Sequence, residues 1–247
     1  MNSSRLPGKV MKKIENKTIL EILLNRISRA KKINNIVIAT SYNSKDERII
    51  NLCKEKKINF FRGSEKNVLK RLVDAGKFFS ADVIVQLTAD NPLIDPDMID
   101  YMIKFFTNNK NIDYLTNNGL GHSHSRKVPM GLDIQIFYYN DLKNNYMKSK
   151  GKLDLMEHPS LFFYREGKNF FKLHNIDLPK KFYINQNYRL TLDTKKDFLV
   201  IKKIYLYFLK KKNINFSTRD LSNFLRNNKS VMKINENIIQ KKVKLLA

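Results

Sequence analysis

Asp90 is placed where a carboxylate can do chemistry. It stands in the stretch Gln86-Leu87-Thr88-Ala89-Asp90-Asn91-Pro92-Leu93-Ile94-Asp95-Pro96. Residues 81–85 ahead of it form an apolar, β-branched run of strand length that reads as a buried strand, and Pro96 opens a helical segment behind it. Asn91-Pro92 ends the ladder, because proline has no N–H to donate and holds its predecessor extended. In open α/β sheets ligands bind beyond the carboxyl ends of strands. Asp90 therefore reads either as an oxygen ligand to a hard cation such as Mg²⁺, shared with substrate phosphates, or as the cap of a turn.

Two further stretches carry candidate chemistry. The opening residues Met1-Asn2-Ser3-Ser4-Arg5-Leu6-Pro7-Gly8-Lys9 bring two hydroxyls, two cations and a Pro-Gly turn together. Such a loop suits phosphate oxygens through side chains and backbone N–H groups, although a merely basic N-terminus has the same composition. His122 and His124 sit in a polar loop without further ligands beside them, so a metal role for them is disfavoured. The run 188–193 reads as a strand ending on a second carboxylate, Asp193, followed by a helix over 194–211 with a Thr194-x-x-Asp197 start.

The elements that position these residues follow from periodicity. A helix over 18–30 places Ile19, Leu20, Leu23, Leu24 and Ile27 on one face and is capped by Thr18 with Glu21 three residues on. A strand over 35–40, a helix from Ser44 to about residue 56, a short strand over 58–61 and a helix over 68–79 precede the Asp90 strand. The second half reads as strands over 112–116, 132–137 and 170–176, with helices over 140–148, 153–164 and 218–227. Strands alternate with helices, which predicts a mostly parallel, doubly wound α/β sheet with helices on both faces, Rossmann-like in layout.

Composition bounds the partners. At 247 residues the chain is long enough to bury a proper core, and without an internal repeat or linker it reads as a single domain, 1–247. The net charge of +24 raises nucleic acid or an anionic surface. Lysines are spread along every helix and loop, however, and no nucleic-acid motif accompanies them, so no nucleic-acid partner is expected. The lone Cys53 excludes an internal disulfide. No apolar run approaches membrane-span length, and no signal-peptide core opens the chain, which together fit a cytoplasmic protein without a membrane partner.

Six blocks taken together carry a resemblance: Ser4-Arg5-Leu6-Pro7-Gly8-Lys9, Phe61-Arg62-Gly63-Ser64-Glu65, Leu87 to Pro96, Gly131-Leu132-Asp133, Glu157-His158 and Leu190-Thr191-Leu192-Asp193-Thr194. In this order they resemble the cytidylyltransferases of sugar-acid activation. The branch in view is that of spore-coat polysaccharide, related to the acylneuraminate and 3-deoxy-manno-octulosonate enzymes. The resemblance implies a nucleotide-diphospho-sugar transferase (GT-A-like) α/β fold, CTP and Mg²⁺ as ligands, and transfer of CMP to an acidic sugar with release of pyrophosphate. It also implies a nucleotide-binding half over 1–110, an acceptor-binding half over 111–193 and C-terminal helices over 194–247. A homodimer formed through residues 131–164 is a further implication.

By the same resemblance, Arg5 and Lys9 hold the β- and γ-phosphates, and Ser3, Ser4 and the backbone around Gly8 complete the cradle. Asp90 and Asp193 meet across the cleft as ligands to Mg²⁺. Arg62, Gly63 and Ser64 line the base and ribose pocket, with Arg71 in reach of ribose or phosphate. Gly131, Asp133, Glu157 and His158 shape the acceptor side, a core-packing role for His158 being equally open. Three departures stand out. The family's first strand, ending in Ala-Arg, would lie ahead of Met1; Gln86 replaces an arginine usual in the branch; and Lys66 and Asn67 stand where acids are common. The alternatives are a glycosyltransferase of the same fold, which the absence of an Asp-x-Asp pair after the central strand disfavours, and a non-catalytic relative.

Overall fold

The computed structural model describes residues 5–121, 125–149 and 151–240. Ser3, Ser4, His122 and His124 lie outside the described residues. A short antiparallel pair, β1 (Lys13–Ile14) and β2 (Lys17–Thr18), leads into α1 (Ile19–Ile27). Thr18 and Glu21 form the capping box expected there, each side chain accepting from the other's backbone N–H. Such a cap contributes about 1 kcal/mol. β3 (Val37–Ser41), α2 (Glu47–Glu55) and β4 (Asn59–Gly63) follow, with β3 and β4 parallel. The turn before α2 is a 3-10 segment, Ser44–Asp46, in which Asn43 rather than Ser44 supplies the capping oxygen.

α3 (Val68–Phe78) leads to β5 (Val83–Gln86), α4 (Pro96–Asn108), β6 (Tyr114–Thr116) and β7 (Gln135–Tyr138). After α5 (Tyr139–Lys148), α6 (Leu153–Glu157) and α7 (Leu161–Tyr164) comes β8 (Leu173–Asn175). β5, β7, β6 and β8 form one sheet in that order. β7 is antiparallel to both its neighbours and β6 is parallel to β8, so the sheets are mixed and the expected parallel layout holds only in part. Alternation of strand and helix specifies an α/β class but not the direction in which a strand such as β7 enters between two others.

Three other expectations are corrected. The strand expected over 188–193 is reduced to one bridge, Arg189 to Met130, and the rest of that run is irregular. The helix expected over 153–164 is two short helices, divided at His158-Pro159, where proline removes an N–H and disfavours helix in the residue before it. The strand preceding Asp90, expected to be buried, is only half-buried along its length. Among the described residues β5 pairs with β7 alone and β3 with β4 alone, so each keeps one edge without a strand neighbour.

α8 (Lys195–Lys210), α9 (Thr218–Asn227) and α10 (Lys229–Lys233) are the last elements among the described residues. Their apolar faces join the larger core with α1 and α4, through Val200, Ile201, Ile204, Phe208 and Leu221. A second core gathers Leu69, Tyr114, Phe137, Leu155 and Phe163 between α3, the four-stranded sheet and α6–α7. Arg26 of α1 is buried and gives its guanidinium to the carbonyls of Ile94, Ile214 and Phe216, while Asp95 caps α4 and accepts from both Thr218 N–H and Thr218 Oγ1. These links fix the segment after Asp90 against the C-terminal helices.

Candidate active site

Three loops converge on one cation. The first carries Lys9: Leu6 is buried and anchors the opening loop, and Gly8, at φ 65°, turns the chain into a 3-10 segment, Lys9–Met11. Glycine adopts that left-handed conformation without the Cβ penalty. The second loop follows β5, where the Asn91 N–H donates to the carbonyl of Thr88 and leaves Asp90 at the apex. The third is the run up to α8, where Leu192 N–H donates to the carbonyl of Asp90 at 2.9 Å and so joins the second and third loops through main chain.

Lys9 Nζ donates to Asp90 Oδ2 at 2.7 Å and to Asp193 Oδ1 at 2.9 Å. Arg5 Nη2 stands 3.1 Å from Asp193 Oδ2, and Arg189 Nη2 donates to the same oxygen at 2.7 Å. Burial alone pulls the Lys9 ammonium down, but Asp90 and Asp193 outweigh it and hold the amine above its ordinary value. Burial likewise pushes the Asp193 carboxyl up, and Lys9, Arg5 and Arg189 more than reverse this, keeping it below the usual carboxylate range. Both groups are therefore charged at neutral pH.

Asp197 supports this cluster from behind. Its Oδ2 accepts from Thr194 Oγ1 and from the backbone N–H groups of Asp193 and Thr194, closing the capping box of α8. Its Oδ1 accepts from Arg189 Nε at 3.0 Å and from Asn235 Nδ2 at 2.8 Å. Asp197 is fully buried, and the Arg189 charge with four further donors offsets the loss of water.

Gly131, expected on the acceptor side, sits against this same run. Its φ is 108°, and a Cβ there would fall 2.3 Å from the carbonyl carbon of Leu190. Leu190 N–H donates to the carbonyl of Met130 at 2.7 Å, so the close approach is part of how the Asp193 loop is seated. Asp133 is bound locally: one oxygen pairs with Arg126 Nη2 and the other accepts from Gly131 N–H. Glu157 is exposed and His158 half-buried at the end of α6, on the side of the second core.

Arg62, Gly63, Ser64 and Arg71 gather at the carboxyl end of β4 as a second polar group. Arg62 donates through Nε to the carbonyl of Ser41 and pairs through Nη1 with Glu47. Gly63 leaves room for the Arg71 side chain, whose Cγ would meet an added Cβ at 2.7 Å. Arg71 Nη1 donates to the carbonyl of Ser64 at 2.7 Å, while its buried Nε has no partner among the described residues. Burial lowers the Arg71 guanidinium from its ordinary value, against the pull of Asp46 and Glu65.

Arg189 and Asn235 are the residues that sequence reasoning missed. A signal was present for Arg189, which stands four residues before Asp193, but its partnership with Asn235 depends on the C-terminal turn folding back. As a metal position, the donor set fits Mg²⁺. Two carboxylate oxygens lie in hydrogen-bond reach of one ammonium, and among the described residues no third acid, His or Cys joins them. Mg²⁺ is commonly held by one or two carboxylates, its other positions going to water and phosphate oxygens.

Comparison with known proteins identifies the family. A family model described as cytidylyltransferase matches residues 1–232. An uncharacterised protein of Methanocaldococcus jannaschii is 37% identical over 240 residues, covering 97% of this chain and 92% of its own length. The spore coat polysaccharide biosynthesis protein SpsF of Bacillus subtilis is 34% identical over 210 residues, covering 83% and 82%. More distant matches include the 3-deoxy-manno-octulosonate cytidylyltransferase of Pelobacter propionicus, 27% identical over 195 residues, covering 66% of this chain and 70% of its own length. The solved structure of a cytidylyltransferase from Leptospira borgpetersenii superposes with a TM-score of 0.82 at 31% identity, covering 98% of this chain and 95% of that one. The match of the family model to nearly the whole chain, with the site loops inside it, shows that the chain belongs to the cytidylyltransferase family.

Proposed function

We propose that the chain transfers CMP from CTP to an acidic sugar, releasing pyrophosphate, in the service of surface polysaccharide. The observation that carries this reading is the convergence of Asp90, Asp193, Lys9 and Arg5 at the ends of three loops. Relationship to spore-coat-polysaccharide and 3-deoxy-manno-octulosonate proteins supports the sugar-acid class. The fold is taken to be GT-A-like on the same grounds. Among the described residues no helix is long and apolar enough to cross a membrane.

In this reaction a sugar hydroxyl oxygen bonds to the α-phosphorus, the α–β bridging bond breaks, pyrophosphate leaves with that bond's electron pair, and the hydroxyl proton passes to solvent water. Negative charge builds on the non-bridging and leaving oxygens, so positioned cations do most of the work. Mg²⁺ held by Asp90 and Asp193 would supply Lewis-acid stabilisation of the phosphates and the attacking oxygen. Lys9 and Arg5 turn from the carboxylates to the β- and γ-phosphates, the guanidinium making a forked contact and the ammonium a point contact. Asp193, held below the usual carboxylate range, is a poor base, and its part is electrostatic. Arg62, Gly63, Ser64 and Arg71 take the base and ribose, and Gly131, Asp133, Glu157 and His158 border the acceptor, with a second copy of the chain packing on the 131–164 segment.

The test is pyrophosphate release with CTP, Mg²⁺ and a panel of sugar acids. Release that depends on both CTP and one acid supports the reading. Transfer from a nucleotide sugar, or no release together with no CTP-induced thermal shift, contradicts it.

A further inference from the structure

Of the three cations in the cluster, Arg189 is the most deeply buried. It is buried, and its guanidinium spans two carboxylates: Nη2 to Asp193 Oδ2 at 2.7 Å and Nε to Asp197 Oδ1 at 3.0 Å. Asn235 locks the arrangement by donating to Asp197 Oδ1 and to the carbonyl of Arg189 itself. Arg5 and Lys9 have a different standing. Arg5 is partly exposed, and both of them serve the phosphates in the function proposed above. Arg189 is thus the permanent partner of Asp193.

Its permanence divides the two oxygens of Asp193. Oδ2 is taken by guanidinium, and Oδ1 alone faces Lys9 Nζ, the position shared with Asp90. A cation entering there can be met by Asp193 through one oxygen only. Ca²⁺ accepts carboxylates in the bidentate mode and takes six to eight ligands, whereas Mg²⁺ takes single oxygens in an octahedron. We infer that Arg189 is a positioning residue that forces Asp193 to bind metal through Oδ1 alone, so that the site selects a small octahedral cation over Ca²⁺. Hydrogen bonds to a metal's own ligands commonly change metal affinity by tenfold or more.

The inference rests on the metal-assisted nucleotide reading, and its test separates the two. Apparent CTP dissociation constants are measured by thermal shift and calorimetry in saturating Mg²⁺ and in saturating Ca²⁺, for wild type, Arg189→Met and Arg189→Lys. The quantity read is the ratio of the two constants, which a merely structural loss leaves unchanged because it weakens both. The wild type is expected to bind CTP more tightly with Mg²⁺, and Arg189→Met to shift the ratio toward Ca²⁺ by roughly tenfold. Arg189→Lys, which retains a charge but lacks the planar fork that meets Asp193 and Asp197 from two nitrogens, should shift it part of the way; this milder variant decides the matter if Arg189→Met does not fold. An unchanged ratio in a folded variant overturns the inference while leaving the metal site standing. CTP binding indifferent to either metal in the wild type removes the metal site and the inference with it.

Discussion

The main-chain N–H of Leu192 donates to the carbonyl oxygen of Asp90 at 2.9 Å. Two residues 102 positions apart are thereby joined before any side chain takes part, and the carboxylates of Asp90 and Asp193 reach the same Nζ as a result. Pre-organisation of this kind is what electrostatic catalysis requires, since charges already in place need no rearrangement as the reaction proceeds.

Asp193→Asn is expected to lower turnover by about 100-fold or more while leaving the fold cooperative, because it removes one charge from a site whose action is electrostatic. Steady-state pyrophosphate release together with circular dichroism checks this. Turnover within a few-fold of wild type would take Asp193 out of the proposed metal site.

Lys9→Met leaves Asp90 and Asp193 facing each other without the ammonium that now lies between them. The variant should lose about 1–3 kcal/mol of stability, the usual cost of stranding partly buried charge. Mn²⁺ added without nucleotide should raise its melting temperature more than it raises that of the wild type, because the metal replaces the missing cation and stabilises the folded state that binds it. CTP affinity should fall by about tenfold, the value of one charge-assisted contact. Equal responses to Mn²⁺ in both proteins would show that Lys9 does not occupy the cation position.

Gly131→Ala forces a Cβ against the Leu190 carbonyl at a backbone angle of +108°. Strain of this kind costs about 1–3 kcal/mol, and relief by movement of residues 190–191 displaces Asp193. A lower melting temperature together with a fall in turnover is the expected pair of results, and a normal melting temperature would argue against the tight seating of these loops.

Asp141 provides a pH test away from the site. Burial, reinforced by Asp113, pushes its carboxyl up to about 6. The folded state then holds its proton more tightly than the unfolded state, so stability declines between about pH 4 and pH 6 and stays reduced above it. Asp141→Asn should match the wild type near pH 4 and exceed it by about 1 kcal/mol at pH 8, after discount for solvent around a half-buried group. Melting curves at the two pH values read the difference; a gain at pH 4 alone would reverse the sign.

Local rules carried the helices well. The boxes Thr18–Glu21 and Thr194–Asp197 are visible as residue types at a fixed spacing, and both form. The proline that divides α6 from α7 was equally visible, but the apolar pattern on both sides of it outweighed the break. Residues 188–193 have strand composition, yet only Arg189 finds a bridging partner, because strand formation depends on a neighbour that composition does not specify. In the site, Lys9, Asp90 and Asp193 were legible through motif order. The support from Arg189 and Asn235 was not, since Asn235 reaches Arg189 and Asp197 across 46 and 38 positions only once the chain past α10 has returned to α8.

Under the proposed function, Asp90 and Asp193 are expected to share one cation beside a bound triphosphate. Mn²⁺ binding followed by electron paramagnetic resonance in the presence of CTP measures this directly in the wild type, Asp90→Asn and Asp193→Asn. One tightly bound Mn²⁺ per wild-type chain, weakened at least tenfold by either substitution, is the predicted result. Retention of wild-type affinity in both variants would contradict it.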